Sequence, residues 1–218
     1  EGLKAGCCYS YKVYKQIKDS DNGFYTSKIL LDPCARAIGG WDIYERDSNN
    51  QYQCLKGMVC EREQFNFTAH PRPRTPWGES VIYEMHVGGF TNSPESNISI
   101  EERGTFIGLI KKLKYLKELG ITAIELLPVF AFDPSDAPNG LENYWGYSPL
   151  NWFTPHHSYI VGNQPLEARR QVRRLVEACH DEGIEIILDV VYNHTTEGNK
   201  NGPEISWKGF EESLYYHK

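Results

Sequence analysis

From residue 81 onward, the apolar positions of the chain alternate between two rhythms. Val81–Val87 and Ile121–Leu127 are short apolar runs bounded by Gly or Pro, and each reads as a strand. Between them Phe106, Leu109, Ile110, Leu113, Leu116 and Leu119 recur at helical spacing, with Gly120 placed to end the helix. A second helix is expected from about Pro165, a residue suited to a first turn, to Glu182. Its apolar stripe is Val172, Leu175, Val176 and Cys179. Gly183 ends it, and Ile184–His194 follows as a third strand, apolar enough to read as buried on both faces. The order β-α-β-α-β makes this an α/β chain with parallel strands and right-handed crossovers. Counting from Val81, 138 residues remain, whereas a complete (β/α)8 barrel takes about 250. The pattern therefore fits either a small open sheet or the first third of a barrel.

Residues 1 to about 70 show no helical period. Tyr9–Tyr14, Phe24–Leu31 and Tyr52–Val59 are Tyr- and Val-containing runs between Asp, Asn and Gly clusters, an all-β pattern. The stretch 66–78 is polar and carries Pro71, Pro73 and Pro76, so it reads as a linker. Residues 1–75 are accordingly expected to hold the end of a β-sandwich and its linker, and residues 76–218 an incomplete barrel. The segment from Pro128 to Gln164 stands apart. It has 37 residues where a βα connection ordinarily takes about 2–6, and it is rich in Tyr, Trp, Phe, Pro and Asn. Such a loop is either functional or a small packed cover over the end of the sheet.

Composition narrows the partners. Hydrophobic residues make up 40% and charged residues 24%, as in a globular protein. The net charge is −6 and no Lys/Arg patch is interleaved with aromatics, which argues against nucleic acid and anionic membranes. No apolar run approaches the roughly 20 residues that span a bilayer. The six Cys, at 7, 8, 34, 54, 60 and 179, show no CxxC spacing, so no zinc site is expected. A reducing compartment fits them, and the sequons at Asn66, Asn97 and Asn193 carry little weight without a secretory signal. The start without Met and the end at Tyr-Tyr-His-Lys suggest a piece of a longer protein.

Candidate chemistry gathers at the end of the third strand. Asp189, Asn193 and His194 offer acceptors and donors together, suited to a hydroxyl-rich ligand. The same Asp could instead tie neighbouring loops. Asn143-Tyr144-Trp145-Gly146-Tyr147 supplies flat faces for sugar rings, with Tyr147 the better ligand candidate and Trp145 expected to pack beneath the loop. Adjacent His156 and His157 point apart and lack a third partner, so no metal is expected. Glu84 and Glu125 lie mid-strand and read as a buried structural pair rather than catalytic groups.

These motifs together resemble the α-amylase superfamily of glycoside hydrolases. Asp189-Val190-Val191-Tyr192-Asn193-His194 is similar to its first conserved region. Val81–Val87 with Phe90-Thr91 resembles its first barrel strand, and Gly104-Thr105-Phe106 with 119–129 its first helix and second strand. Residues 143–149, with Phe153-Thr154-Pro155, resemble the isoamylase and glycogen-debranching branch. Residues 30–37 resemble the end of the glycogen-binding-like sandwich that precedes such barrels. The resemblance implies that Tyr147 stacks on the sugar of the −1 subsite and that His194 binds its primary hydroxyl. It makes Asp189 a buried organiser, and Asn193 and Trp145 supports of the site. It implies hydrolysis of α-1,6 linkages in a branched α-glucan such as glycogen, amylopectin or limit dextrin, with retention and no cofactor. The carboxylates that perform this chemistry belong to later strands, so no catalytic residue is assigned in this chain, and the fragment is expected to be inactive. A non-catalytic glucan-binding subunit, or another reaction of the superfamily such as α-1,4 hydrolysis or transfer, is the alternative. A bacterial cytoplasm is the expected location, with the plastid stroma second.

Overall fold

The computed structural model describes residues 2–16, 25–44, 46, 55–62, 66, 68–199 and 201–217. Its first strands are short and antiparallel. β1 (Cys8–Tyr9), β5 (Lys56–Met58) and β4 (Ile38–Gly39) form one sheet, in the order β1-β5-β4. β2 (Tyr11–Gln16) and β3 (Tyr25–Leu30) form a hairpin-like pair in register from Tyr11↔Leu30 to Gln16↔Tyr25. Part of the expected Tyr52–Val59 run falls outside the described residues.

The second half carries the parallel sheet. β6 (Ile82–Met85) is followed by the single-turn α1 (Val87–Phe90), then α2 (Phe106–Ile110), α3 (Leu113–Glu118) and β7 (Ala123–Leu126). β8 (Phe130–Phe132) and β9 (Pro149–Pro155) pair antiparallel within the long loop. α4 (Ala168–Asp181), β10 (Glu185–Leu188) and α5 (Trp207–Tyr215) complete the chain. β10, β7 and β6 lie side by side and parallel in that order.

Alternation sorts the sheet into two faces. Tyr83, Met85, Ile124, Leu126 and Ile186 turn toward α2, α3 and α4, where they meet Phe106, Leu109, Leu113, Leu116, Leu175 and Cys179 in the main core. The opposite face carries Glu84, Glu125, Ile187 and Asp189. The helix expected over 106–119 is broken at Lys111-Lys112, where Lys112 N–H bonds to Leu109 O in a tighter turn. It ends as expected: Gly120 sits at φ +87°, and Ile121 N–H reaches back to Leu116 O.

The third strand is shorter than expected. Hydrogen bonding to β7 ends with Asp189 N–H to Leu126 O, at 3.0 Å, and residues 190–194 leave the sheet. Nor is it buried on both faces: β10 is an edge strand here, and Leu188 is 41% exposed. A second core joins Leu31, Ala35, Ile38 and Leu55 to Ala131, Leu150 and Ile205, so the early β segment packs on the long loop and on the run into α5. Among the described residues no helix is long and apolar enough to cross a membrane.

Candidate functional site

The 37-residue loop is built to hold one short turn in place. Asn143 anchors it: its N–H donates to Pro134 O (2.8 Å), its Nδ2 to Asp133 O (3.3 Å), and its Oδ1 accepts from Gly146 N–H (3.1 Å). Gly146 adopts φ +82°, and a Cβ there would sit 3.0 Å from the Phe132 ring. Glycine is required on both counts.

This turn delivers Tyr147 to the end of β10. The Tyr147 phenol donates a short hydrogen bond to Asp189 Oδ2. That bond, burial, and the charges of Asp189, Glu84 and Glu125 push the phenol up to about 12. Its neighbour in space is His194, whose Nε2–H donates to Tyr147 O at 2.7 Å. His194 Nδ1 lies 3.2 Å from Asn193 Oδ1. Tyr147, Asp189, Asn193 and His194 are thus brought together from residues 42 and 47 positions apart in sequence. The group opens to solvent: Tyr147 is 38% exposed, and Asn193 and His194 are exposed too.

Glu84 and Glu125 are not a buried pair. They stand opposite each other in the β6–β7 register, on the same face as Asp189, with Glu84 exposed and Glu125 half-buried. Their place on the uncovered side of the sheet explains the difference, since no second layer lies over that face among the described residues. Trp145 also departs from expectation. It does not pack beneath the loop but stands 57% exposed, its ring edge-on to Tyr144. Gly146 turns the backbone immediately after it, and the space under the loop is already filled by Phe132 and His156, stacked at 3.7 Å.

His86, at the end of β6, was not singled out by its surroundings in sequence. Its ring stacks on Tyr144 at 4.0 Å and 18°, and its Nε2–H points to Tyr144 O (2.7 Å) and the Tyr159 hydroxyl (3.0 Å). Burial holds its pKa below the ordinary histidine value. A Cβ on Gly89 would come 2.3 Å from the Tyr144 hydroxyl, so the Gly88-Gly89 break makes room for this stack. The logic that picked out His194, a polar group ending an apolar strand, applies equally to His86. Beside it a cavity of about 450 Å³ opens between Asn92, Arg103, Asn143 and Tyr159.

His156 and His157 serve packing. His156 stacks on Phe132, and His157 stacks on Trp41 at 4.2 Å. Burial pushes His157 down to about 4 and His156 well below the usual range. No group of three His, Cys, Asp or Glu side chains among the described residues is arranged to hold a metal ion.

Two further acids were missed because their partners lie far away in sequence. Asp133, fully buried, accepts from the Tyr44 hydroxyl (2.9 Å), Arg46 Nη1 (2.6 Å) and Thr196 Oγ1 (3.2 Å). Arg46 also bonds to Thr196 O at 2.7 Å and pairs with Asp136 at 3.0 Å. Glu197 is likewise fully buried, and accepts from the N–H groups of Ile205 (2.8 Å), Ser206 (2.7 Å) and Lys208 (3.0 Å) and from the Tyr216 hydroxyl (2.7 Å).

Known proteins are similar to this chain in sequence and in fold. The chain is 36% identical to the glycogen operon protein GlgX homolog of Haemophilus influenzae, over 99% of this chain and 33% of that protein. It is 36% identical to a glycogen debranching enzyme of Dickeya chrysanthemi, over 97% of this chain and 34% of that protein. The chain therefore spans about a third of the length of these curated relatives. Among solved structures, the product complex of the pneumococcal glycogen-degrading virulence factor SpuA superposes with a TM-score of 0.66 at 30% identity. It covers 86% of this chain and 20% of that one. The Group B Streptococcus pullulanase SAP in complex with maltotetraose superposes at 0.63 and 28% identity, over 78% of this chain and 24% of that one. The family model for the alpha amylase catalytic domain matches residues 82–217, more than half of the chain, and the chain belongs to that family.

Proposed function

We propose that this chain is the N-terminal portion of a glycoside hydrolase that debranches glycogen- or starch-type glucan by cleaving α-1,6-glucosidic linkages. In this reading residues 76–218 are the opening β-α-β-α-β of a (β/α)8 barrel, and residues 1–75 the end of a preceding β-sandwich with its linker. The observation that carries it is the Tyr147–Asp189–His194 group, assembled at the C-terminal end of a parallel strand by a locked aromatic turn. That is the end at which barrel enzymes hold their substrates. The names of the relatives agree with the reaction class.

The roles are those that the family resemblance implies, and the geometry supports them. Tyr147 presents its ring to the apolar face of a glucosyl unit, while Asp189 and the loop backbone hold the ring still. His194 has an exposed imidazole beside that ring and can meet a sugar hydroxyl. Asn193 orients His194, and Asp189 acts as organiser rather than nucleophile because its Oδ2 is already committed to the phenol. Retaining hydrolysis needs two carboxylates about 5–5.5 Å apart across the scissile bond. In this reading they come from later strands of the same barrel, and the working compartment is the bacterial cytoplasm.

The test is product analysis on amylopectin and pullulan with the full-length protein and with the 218-residue chain. Linear maltooligosaccharides are expected from the full-length protein and none from the chain alone. Glucan binding without any new reducing ends would instead make the protein a binding subunit. Release of short α-1,4 products from linear amylose would overturn the debranching assignment.

A further inference from the structure

Five of the six cysteines lie among the described residues, and their surroundings differ. Cys179 is fully buried in the main core, where burial pushes its thiol up to about 12. Such a thiol is inert packing. Cys34 is exposed and lines a cavity of about 380 Å³ together with Cys60, Arg36, Tyr9 and Met58. That volume falls in the range of small-molecule pockets, about 300–1,000 Å³. No Asp or Glu lines it, and Arg36 is exposed and makes no ion pair among the described residues. Asp32, two residues before Cys34, is already committed: its carboxylate accepts from the Tyr9 hydroxyl (2.6 Å) and from Cys34 N–H (2.9 Å). An exposed thiol beside an uncompensated guanidinium is the setting in which cysteines react.

Cys34 also sits inside a bolt between the early β segment and the long loop. Asn151 Nδ2 donates to Asp32 O (3.4 Å) and Pro33 O (3.0 Å), and Thr154 Oγ1 donates to Ala35 O (2.7 Å). Asn151 and Thr154 are buried on β9, so carbonyls on both sides of Cys34 are held by one strand. Leu31 and Ala35 pack with Ala131 and Leu150 in the second core. β9 begins two residues after Tyr147. A group added to the Cys34 sulfur is therefore carried by the segment that fixes the strand behind Tyr147.

We propose that Cys34 is a site of reversible mixed-disulfide formation with a small carboxylate-bearing thiol of the glutathione class. Arg36 seats the incoming carboxylate, and the adduct works on the bolt to β9. In the reaction the Cys34 thiol gives its proton to solvent, and the thiolate attacks one sulfur of a low-molecular-weight disulfide. The S–S bond of that disulfide breaks, a new S–S bond joins one half to Cys34, and the departing thiolate takes up a proton. The Cys34 sulfur is oxidised and the leaving sulfur reduced, so the disulfide is the only oxidant. Attack by the free thiol reverses the step. The site itself stands on the cavity; its effect on turnover rests on the glucan reading above.

The test uses the full-length protein and its Cys34→Ser, Arg36→Ala and Cys8→Ser variants, Cys8 being exposed but outside this cavity. Each is reduced, desalted and mixed with glutathione disulfide, or with cystamine as a disulfide of opposite charge. Intact mass and peptide mapping follow the adduct, and release of reducing ends from a branched glucan follows turnover. One glutathionyl group on Cys34 is expected, removed by dithiothreitol, absent from Cys34→Ser and retained in Cys8→Ser. Arg36→Ala should slow the reaction with glutathione disulfide about threefold and should not slow that with cystamine. Turnover should fall about twofold or more with the adduct and return on reduction, and Cys34→Ser should keep its turnover under the same treatment. No adduct at Cys34 overturns the site, as does a loss of two hydrogens without added mass, which would be an intrachain disulfide. Equal slowing of both reagents in Arg36→Ala, or slowing of neither, overturns the role of Arg36. An adduct on Cys34 with turnover unmoved overturns its action on the bolt. An untreated protein that releases no reducing ends from branched glucan would sink the glucan reading instead, a result distinct from anything in the mass spectra.

Discussion

Two carboxylates lie eight residues apart after the third parallel strand and have opposite surroundings. Glu197 is fully buried and saturated: three backbone amides and the Tyr216 phenol fill its lone pairs. Asp189 is half-buried and takes one phenol, Tyr147, beside groups that remain open to solvent. Both acids accept from a tyrosine, so partner type does not separate them. Saturation does. A buried acid with every valence filled is a joint, here between residues 195–197 and the start of α5. A half-open cluster of ring, imidazole and amide has bonds left to give, which is what a ligand needs.

The contrast can be broken most forcefully at Glu197. Replacement by Ala strands four donors in a buried place, and the unfolding free energy should fall by about 4 kcal/mol. Glu197→Gln keeps acceptor oxygen for some of them and should cost about 2 kcal/mol. Chemical denaturation of the two variants measures both. A loss below about 1 kcal/mol for Ala would mean that the joint is not a joint.

A second effect comes from the ring stack beneath the turn. His157 is pushed down to about 4, and His156 lies well below the usual value, so both are neutral when folded and take up protons on unfolding below about pH 6.5. The unfolded chain binds more protons in that window, so stability rises with pH between about 4 and 6.5 and is lost on acidification. Each histidine contributes a slope of at most about 1.4 kcal/mol per pH unit. His157→Gln should shallow the slope, and urea titrations at pH 5 and 7 would detect it. An unchanged slope would show that His157 does not supply it.

The smallest stability effect is expected at the open cluster. His194→Ala removes an exposed ring with bonds to Tyr147 O and to Asn193, and should change unfolding by less than about 1 kcal/mol. Hydrolysis of a branched glucan by the full-length variant should nevertheless fall at least tenfold, with the same bond cut. Large destabilisation with unimpaired turnover would make the cluster around His194 a joint rather than a site.

What could be read in advance follows from sequence distance. The parallel strands and their helices show in local periodicity, and so do Gly120 as a helix stop and Cys179 as a buried thiol. Tyr147, Asp189, Asn193 and His194 could be singled out as candidates because each motif is contiguous, and the structure brings the four together. The end of the third strand was not, because pairing partners rather than residue types decide where a ladder stops. Trp145 was misjudged because composition cannot tell which face of a turn is already filled, and Phe132 and His156 had filled this one. Asp133 and Glu197 looked like ordinary loop acids, since their donors come from residues 44–46 and 205–216.

The Arg46 guanidinium has a consequence for the order in which the protein assembles. Its partners Asp133 and Thr196 lie 87 and 150 residues further along. During synthesis the arginine waits in water, where an unpaired guanidinium is at ease, until nearly the whole described chain has been made. Loop closure over such spans grows only as the logarithm of length, so the delay is kinetic rather than energetic. The Asn143 turn hangs from Asp133 O, so the aromatic turn that carries Tyr147 is expected to be among the last parts of the molecule to take shape.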